Sequence, residues 1–302
     1  MDGKVNAGSK ASGLPARQDR LRPMRAGTPT VAVALGGGGA RGIAHIALLE
    51  AIDELGLRVT AVAGCSMGAI VGAAYASGLS GGDLRAHTLG LFRDRANVMG
   101  RLLKARVGRF TDLFAGRGVN PVLVDGEIVL DHFWPEAVPD RFEELAVPFS
   151  AVATNYLARC EAVFSSGPLA PAVAASMAIP GLVRPIEING QVFVDGGAVN
   201  PLPYTHLFGR ADIVIACDVT GGPVANGHAI PQPFESTLGS AQIMMATITA
   251  LMVQAKAPDI LVRPPVDQFR ALDFFRAAQI LAAAEGAKDE IKRGLEVRLD
   301  KA

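Results

Sequence analysis

The five residues Gly64-Cys65-Ser66-Met67-Gly68 decide how the rest of this chain is interpreted. They directly follow residues 59–63, an apolar run with β propensity, and directly precede residues 69–76, whose small apolar side chains predict a buried helix. A serine between two glycines on a strand-to-helix turn is typical of a nucleophile elbow, where the glycines leave room for the tight turn. Amide groups at the N-terminus of the following helix can stabilise an oxyanion. The stretch therefore predicts a nucleophilic Ser66 flanked by Gly64 and Gly68, and a plain Gly-Ser turn is the alternative.

A second glycine-rich loop precedes this turn. Residues 30–35 predict a buried strand, residues 43–55 predict a helix, and Gly37-Gly38-Gly39-Ala40-Arg41-Gly42 joins them. The loop fits the G-x-G-x-x-G fingerprint of dinucleotide-binding folds, but Ala63 and Gly64 occupy the place at the end of the second strand where that fingerprint requires an acidic residue. No Gly-Lys-Ser/Thr follows, which excludes a P-loop. A nest of backbone amides suited to an anion is the functional interpretation, and a tight strand-to-helix turn is the structural one.

The order of these elements predicts the fold class. Strand, glycine loop, helix, strand, elbow and helix follow one another in the first part of the chain, which is typical of a parallel sheet covered by helices on both faces. Further elements are predicted downstream: helices over residues 119–133, 171–178 and 274–302, paired strands over 149–154 and 161–164, a hairpin over 183–188 and 191–194, and single strands over 213–217 and 259–262.

The predicted hairpin ends in a carboxylate. Its turn is Asn189-Gly190, a strong hairpin signal between two β-prone runs, and its second arm leads into Asp195-Gly196-Gly197. Asp-Gly-Gly is usually no more than a turn. A carboxylate that closes an apolar strand is costly to bury, however, unless it has a function. Asp195 is therefore a candidate functional residue.

Composition limits the classes of function. The chain has 302 residues, half of them hydrophobic, and a formal net charge of zero with a pI near 7.0, so nothing in it favours binding of nucleic acid. Its three cysteines, Cys65, Cys160 and Cys217, are far apart, which favours neither a disulfide framework nor a zinc site and fits a reducing, cytoplasmic compartment. Residues 1–29 lack the apolar core of a signal peptide and are basic, so we expect a disordered tail followed by one domain over residues 30–302.

Two stretches bear on contact with membranes or with a second copy of the chain. Residues 242–254 predict a helix that is buried or contacts another subunit, because four polar side chains interrupt its apolar run and argue against a lipid-facing span. The sequence therefore leaves open whether the chain forms a homo-oligomer. Residues 93–109 predict either a solvated surface helix or an element that docks on anionic lipid at the inner face of a membrane. The basic side chains of that stretch are Arg93, Arg95, Arg101, Lys104, Arg106 and Arg109.

Taken together, these motifs resemble those of the patatin-like phospholipases, most closely the bacterial branch. The glycine loop, the elbow and Asp-Gly-Gly stand in the family's order and context. Residues 175–181 resemble the family's segment ahead of the Asp strand, and residues 195–203 resemble the stretch that contains its catalytic Asp. The resemblance covers residues 31–220. Two departures leave the choice of substrate open, since Asn155 stands where many relatives have Asp and Pro201 where many have a second Asn.

The resemblance implies a three-layer α/β/α fold with a mostly parallel central sheet. It implies a Ser–Asp dyad, with Ser66 as the nucleophile and Asp195 as its base, whose pKa burial is expected to raise. It also implies hydrolysis of acyl esters in lipids, often at membrane surfaces, without a metal, nicotinamide or flavin cofactor. The resemblance further implies an oxyanion hole made of backbone amides, with an arginine nearby: Gly37, Gly38, Gly39 and Arg41. The other implied site residues are glycines of the three motifs: Gly42, Gly64, Gly68, Gly196 and Gly197.

Three alternatives stay open at this point. A Ser–His–Asp esterase would need a histidine after the acid, and only His206 and His228 follow Asp195, both expected at the surface. A nucleotide-dependent oxidoreductase would use the glycine loop for its cofactor. A non-catalytic regulator or scaffold would keep the fold without the reaction, which the intact Ser66 and Asp195 disfavour.

Overall fold

The computed structural model describes residues 29–107, 123–224 and 230–299. The tail predicted over residues 1–29 lies outside them except for its last residue. The C-terminal end of the basic stretch, residues 108–109, lies outside them as well. The prediction of one domain over residues 30–302 stays a prediction.

A mixed sheet of eight strands forms the centre of the fold. Neighbouring strands are parallel across the five strands from Ile260–Val262 to Phe149–Asn155. They are antiparallel among Phe149–Asn155 and the remaining three strands. A separate antiparallel pair joins β3 (Arg106–Val107) to β4 (Leu123–Val124). Across the sheet the order is β10 (Ile260–Val262), β9 (Ile213–Cys217), β1 (Thr30–Leu35), β2 (Arg58–Cys65), β5 (Phe149–Asn155), β8 (Gln191–Asp195) and β7 (Ile186–Ile188), with β6 (Cys160–Phe164) also paired to β5.

Two edges of β5 explain how the sheet positions the site. β6 pairs with β5 along one edge, so β2 and β8 must share the other edge. Cys65, the last residue of β2, pairs with Val152, and Asp195, the last residue of β8, pairs with the next residue of β5, Ala153. The ends of β2 and β8 therefore meet head-on beside β5.

Helices cover both faces of this sheet, as the α/β prediction requires. The strands alternate in side-chain size, because in β1 the larger Val31, Val33 and Leu35 face one side and the small Ala32 and Ala34 face the other. The helices are α1 (His45–Glu54), α2 (Met67–Ala76), α3 (Gly81–Arg93), α4 (Arg95–Lys104), α5 (Gly126–Phe133), α6 (Leu169–Ser176), α7 (Pro233–Ala255), α8 (Ala277–Ala283) and α9 (Gly286–Leu299).

The two faces differ in what covers them. Residues of α1, α2, α6, α8 and α9 pack with the larger side chains in one extensive core. The alanine-lined face packs against Leu202 and a short 3-10 helix, Tyr204–Leu207, and is flanked by Met252 and Val253 of α7. The three-layer α/β/α prediction is confirmed, with a sheet that is parallel from β10 to β5.

Several predicted boundaries need correction. The helix predicted over residues 119–133 begins only at Gly126, because the side chain of Asp125 accepts hydrogen bonds from the amides of Glu127 and Ile128 and caps it there. Residues 119–122 lie outside the described residues. The single helix predicted from Phe274 onward is divided into a 3-10 turn, α8 and α9, with residues 284–285 separating the two α-helices. The paired strands and the Asn189-Gly190 hairpin are confirmed.

The helix predicted over residues 242–254 exists, but the prediction that it is buried is wrong. It extends from Pro233 to Ala255, and its buried residues are Gly239, Gln242 and Thr249. Among the described residues it is the one helix long and apolar enough to cross a membrane by length and composition. Contact with a second subunit stays a prediction, and so does the expectation that the helix does not span a membrane.

The basic stretch forms the end of α3 and all of α4. Val98 is buried, whereas Met99 and Leu103 are about half exposed. The Arg101 guanidinium donates a hydrogen bond to the carbonyl of His132. Docking of this stretch on anionic lipid stays a prediction.

Candidate active site

Ser66 alone forms the turn between β2 and α2. Its backbone has φ 54° and ψ −123°, a positive φ that few residues other than glycine adopt. A Cβ atom at Gly64 would lie 2.4 Å from the Gly68 carbonyl oxygen, and one at Gly68 would lie 2.0 Å from the Leu35 carbonyl oxygen. The turn therefore approaches its neighbouring backbone so closely that both flanking positions require glycine.

Asp195 ends β8 and turns its carboxylate back toward the chain that follows. Its Oδ1 accepts a hydrogen bond of 2.8 Å from the amide of Gly197, and its backbone carbonyl accepts one of 2.8 Å from the Thr154 hydroxyl. Gly196 must be glycine, since a Cβ atom there would lie 2.2 Å from the Val152 carbonyl oxygen. These contacts fix the carboxylate at the end of the strand.

The shared edge of β5 brings Ser66 and Asp195 together. The Ser66 hydroxyl faces the Asp195 carboxylate closely enough to lower its pKa. Burial acts in the other direction and dominates, so the pKa of Asp195 is raised to about 6 despite this hydroxyl and the Gly197 amide. The pair is thus a serine next to a carboxylate of increased basicity, which can accept a proton near neutral pH.

The glycine loop lies beside this pair. A Cβ atom at Gly37 would lie 3.4 Å from Ser66 Cβ, so the loop lies next to the serine. The Gly37 amide donates a hydrogen bond of 2.9 Å to the Pro201 carbonyl. In the part of the chain that the structure describes, neither the Gly38 amide nor the Gly39 amide donates a hydrogen bond to another backbone group. Those two amides remain available to an anion.

The Arg41 side chain binds backbone carbonyls that support the glycine loop, and not Ser66. Its side chain is fully buried, and its guanidinium donates to four backbone carbonyls, those of Val219, Thr220, Gly222 and Phe269. Burial lowers the pKa of this guanidinium, and the nearby acids Asp267, Asp218 and Asp273 oppose that effect. The arginine therefore connects the glycine loop to two later segments of the chain.

No histidine contacts Ser66 among the residues that the structure describes. His206 binds Glu161, with 2.7 Å between Nε2 and Oε1, and this partner raises its pKa. His45 is wholly buried with Nε2 at 2.8 Å from the Gly36 carbonyl oxygen, and burial lowers its pKa to about 4. His87 and His132 bind elsewhere, and His228 lies outside the described residues.

The neighbouring thiol is an unsuitable nucleophile. Cys65 is fully buried, and burial raises the pKa of its thiol well above the ordinary value, with the charges of Asp195 and Glu161 adding to that effect. A protonated thiol of this kind is a poor nucleophile. The turn presents the hydroxyl of Ser66 instead.

Two residues that the sequence interpretation missed contact the site. Ser176, at the end of α6, accepts a hydrogen bond of 2.9 Å from the Ser66 amide. Met245, in the middle of α7, lies over the site, because Cβ atoms at Gly37 and Gly197 would lie 3.2 Å and 2.8 Å from its Cε. A polar residue inside the alanine-rich α6 was a signal for Ser176, whereas nothing local in the sequence indicated Met245.

A shallow groove of about 430 Å³ runs along one side of α7. It does not include Ser66 or Asp195. Its lining is apolar or small, with polar side chains only from Thr247 and Gln254: Gly221, Gly222, Ile243, Ala246, Thr247, Ala250, Leu251 and Gln254. Within the described residues, no group of three or more His, Cys, Asp or Glu side chains is arranged to hold a metal ion.

Comparison with known proteins agrees with this geometry. The family model described as patatin-like phospholipase matches residues 33–208, more than half of the chain. The chain belongs to the patatin-like phospholipase family. The match contains the glycine loop, the elbow and Asp-Gly-Gly, the three motifs that surround the Ser66–Asp195 pair.

Individual relatives of this patatin-like protein are longer than the chain. It is 38% identical over 202 residues to an uncharacterized NTE family protein of Mycobacterium tuberculosis. That alignment covers 67% of this chain and 52% of the mycobacterial protein. It is 28% identical over 304 residues to lysophospholipase NTE1 of Kluyveromyces lactis, covering 93% of this chain and 20% of that protein. The chain thus spans about half the length of the mycobacterial relative and a fifth of the yeast one.

Two solved structures are similar to the chain at a greater distance. The ExoU–SpcU complex of Pseudomonas aeruginosa matches with 15% identity and a TM-score of 0.46, covering 89% of this chain and 52% of the other. Human GIVD cytosolic phospholipase A2 matches with 14% identity and a TM-score of 0.42, covering 95% of this chain and 62% of the other.

Proposed function

We propose that this chain hydrolyses acyl esters of lipids, with Ser66 as the nucleophile and Asp195 as the general base. The observation that carries the proposal is the meeting of Ser66 and Asp195 where β2 and β8 end on the same edge of β5. Membership of the patatin-like phospholipase family and the similarity to proteins named lysophospholipase favour lysophospholipids as the first substrate class to test.

The reaction follows from the positions of these groups. Ser66 Oγ attacks the acyl carbon while its proton passes to the Asp195 carboxylate, and the carbonyl oxygen becomes an oxyanion. The free amides of Gly38 and Gly39, together with the N-terminus of α2, supply donors for that oxyanion. Asp195 then returns the proton to the leaving alcohol. Water, deprotonated by the same carboxylate, attacks the acyl-enzyme, releases the fatty acid and restores Ser66.

Gly37 and Arg41 have supporting roles in this proposal. Gly37 lies beside Ser66, and its own amide is bound to the Pro201 carbonyl. Arg41 holds the loop through backbone carbonyls. The Pro201 that departs from the family pattern still offers the carbonyl that this contact requires. We therefore assign the oxyanion donors to Gly38 and Gly39 and not to the full set of four residues.

The test is turnover of a lysophospholipid and of a soluble p-nitrophenyl ester by the wild type, Ser66→Ala and Asp195→Asn. Each variant is expected to lose about 10³-fold or more in kcat, and the double variant to be no worse than either, because the two residues act as a unit. Circular dichroism checks that the variants are folded. Activity close to wild type in either folded variant refutes the dyad.

The same assay separates the proposal from two of the three alternatives. In a Ser–His–Asp esterase, His206→Gln would lose activity as severely as Ser66→Ala, whereas the dyad predicts little change, since His206 binds Glu161. In a non-catalytic scaffold, the wild type would turn over neither substrate, and a fluorophosphonate would not label Ser66.

A further inference from the structure

Helix α7 approaches the proposed catalytic pair with the side chain of Met245. Met245 lies against both Gly37 and Gly197, which stand on either side of the pair. Ser66 is 4% exposed and Asp195 is 8% exposed. An acyl ester cannot reach Ser66 Oγ at this exposure without displacing what lies above it, and Met245 occupies that position.

The same helix is weakly held by the rest of the protein. Its C-terminal end is anchored, since the Tyr204 hydroxyl donates to the Lys256 carbonyl at 3.0 Å and the Lys256 ammonium lies 4.0 Å from the centre of the Phe208 ring. Along the remaining length only Gly239, Gln242 and Thr249 are buried. A helix anchored at one end, with few buried residues before it, can move at low cost in contacts.

Its outward side carries no charge and presents large apolar side chains among small polar ones. We call Ile243, Met244 and Leu251 the outer face of α7; each is more than half exposed. Between Glu235 and Lys256 the chain has no charged side chain. Met244 and Met245 are neighbours in sequence but lie on different sides of the helix, one toward solvent and one toward Ser66.

We propose that the outer face of α7 docks on a lipid surface and that docking draws Met245 away from Ser66. This proposal rests on the proposed function, because the lipid surface is then also the source of the substrate. A lipid surface fits an uncharged face with three large apolar side chains, on a helix that is apolar enough for a bilayer yet attached to the protein along its opposite side. A charged protein partner would find no complementary group there.

Access and docking are then coupled by geometry. Apolar side chains of the outer face gain free energy by leaving water for the acyl region, roughly 25 cal/mol for each Å² removed from water. That gain is available only where lipid is present. Docking opens the site where this gain exceeds the free energy of the contacts that Met245 makes with the glycine loop and the Asp195 turn.

The binding experiment uses Ser66→Ala protein so that hydrolysis plays no part. Cosedimentation with phosphatidylcholine vesicles is measured for Ser66→Ala alone, with Met244→Glu/Leu251→Glu, and with Val297→Glu as the matched control. Val297 lies on α9 and is 54% exposed, similar to Met244 at 59% and Leu251 at 60%. The outer-face variant is expected to bind at least about tenfold more weakly, and the control to bind unchanged.

Salt and lipid charge identify the kind of contact. Docking through an uncharged face predicts binding that is insensitive to salt and that does not require anionic lipid. Binding only to anionic vesicles and lost at high salt would assign docking to basic residues elsewhere and overturn the proposal. Equal binding by the outer-face variant would overturn it as well. A dimer in solution that the outer-face variant abolishes, without any vesicle binding, would make this face a contact between two copies of the chain.

The access step is tested by the rate at which a soluble fluorophosphonate labels Ser66. Vesicles are expected to accelerate labelling of the wild type about tenfold, and Met245→Ala is expected to label at the accelerated rate without vesicles. Met244→Ala, one position away and facing solvent, is the control and should behave as the wild type without vesicles. If vesicles bind but do not change the rate, the coupling is wrong. If Ser66 is never labelled, the proposed function fails, whereas the binding result still stands.

Discussion

The backbone amide of Ser66 donates a hydrogen bond of 2.9 Å to the hydroxyl of Ser176. That hydroxyl in turn donates to the Val152 carbonyl at 2.6 Å, so Ser176 connects the turn to β5. The connection matters because Ser66 has a positive φ, and such backbone persists only where the surroundings hold it. Ser176 is fully buried and does not face the proposed substrate. We infer that it is a positioning residue for Ser66.

Ser176→Ala should therefore reduce both stability and the rate of the chemical step. Loss of the buried hydroxyl leaves two backbone groups without a partner, which costs about 1–3 kcal/mol in the free energy of unfolding. Displacement of Ser66 is expected to lower kcat by about tenfold to a hundredfold, with little change in KM. Ester turnover and thermal unfolding measure the two effects.

Ser77→Ala is the control for this variant. It removes another serine hydroxyl that is bonded to a backbone carbonyl, that of Ala74 at 2.7 Å, at the far end of α2. It should lower stability slightly and leave kcat unchanged. Equal kcat in both variants would contradict a positioning role for Ser176.

Asp195 predicts the pH dependence of the reaction. The carboxylate must be ionised to accept the Ser66 proton, and burial raises its pKa to about 6. kcat/KM should thus be constant above about pH 7 and fall tenfold per pH unit well below pH 6, as the free enzyme becomes protonated. An ordinary aspartate would place this limb near pH 4. The measurement is ester turnover between about pH 4.5 and 8.5.

A histidine could also titrate in this range, so His206 needs to be excluded as the source of the acid limb. Glu161 raises the pKa of His206 above its ordinary value, and a limb due to His206 would therefore lie above that of Asp195. His206→Gln should leave the acid limb where it is. A limb that disappears in this variant would assign the titration to the histidine.

The Asp195→Asn variant should lose activity but gain stability. The folded pKa is raised from 3.8 to about 6, so the wild type takes up a proton on folding in this window and loses stability as pH rises through it. Asparagine carries no charge to bury. The inactive variant should therefore be more stable than the wild type at pH 8, by up to about 3 kcal/mol, with a difference that vanishes below about pH 4.

The buried His45 does not disturb this comparison. Its pKa is lowered to about 4, so it contributes stability that is present above its ordinary pKa of 6.5 and lost as pH falls through the folded value. This contribution is the same in both proteins and cancels in their difference. A variant that is less stable than the wild type at pH 8 would show that the carboxylate is not desolvated as we describe.

Local signals in the sequence predicted the parts of the site but not their contact. The Asn189-Gly190 hairpin followed from a turn in which both residues adopt positive φ, 52° and 74°, as its amino acids favour. The elbow followed in the same way from Gly64 and Gly68. That Ser66 meets Asp195 depends on β2 and β8 sharing an edge of β5, a long-range pairing that no short pattern encodes.

The position of α7 shows a second limit of the sequence. The sequence predicted that this helix is buried or contacts another subunit, but burial depends on what the rest of the fold places against the helix. Its start was indicated by Pro233, a residue favoured at the first helical position, and by Glu235, whose carboxylate accepts a hydrogen bond from the Gln232 amide; the sequence interpretation used neither signal. The Asp125 cap was a similar signal for the start of α5. In both cases the pattern was present, and the apolar run alone gave the wrong boundary.

Gly68→Ala should abolish activity by preventing the turn from forming. The added Cβ would lie 2.0 Å from the Leu35 carbonyl oxygen, and backbone on both sides would have to move. We expect a loss of several kcal/mol in stability, at the upper end for a single substitution. Gly90→Ala in α3 is the control, since a Cβ there meets nothing within 4 Å, and it should stabilise the protein by up to about 1 kcal/mol. Thermal unfolding and ester turnover of the two variants check this. A Gly68→Ala protein with normal turnover would mean that the turn can shift without losing its function.

Arg41 provides the last prediction, because it separates support of the glycine loop from direct contact with the oxyanion. Its guanidinium binds carbonyls on two segments, residues 219–222 and Phe269, and the adjacent Ala40 amide donates to the Ala271 carbonyl at 2.7 Å. Lysine has three donors on one atom and cannot reach the same set of carbonyls. Arg41→Lys should thus lose about 2–4 kcal/mol in stability as buried carbonyls become unpaired.

Catalysis should respond to the same change through the loop. If Arg41 fixes the Gly38 and Gly39 amides where the oxyanion forms, Arg41→Lys should lower kcat by about tenfold to a hundredfold while KM changes little. The control is Arg85→Lys, which removes a bidentate contact of 2.6 Å with Glu50, a pair outside the three motifs, and should reduce stability without reducing kcat. The two variants are compared at a temperature where both remain folded. Equal kcat in Arg41→Lys and the wild type would mean that the loop keeps its geometry without the guanidinium. In that case Arg41 stabilises the fold alone, and the two free amides owe their positions to the packing of the Gly38 and Gly39 backbone against Val219 and Ala271.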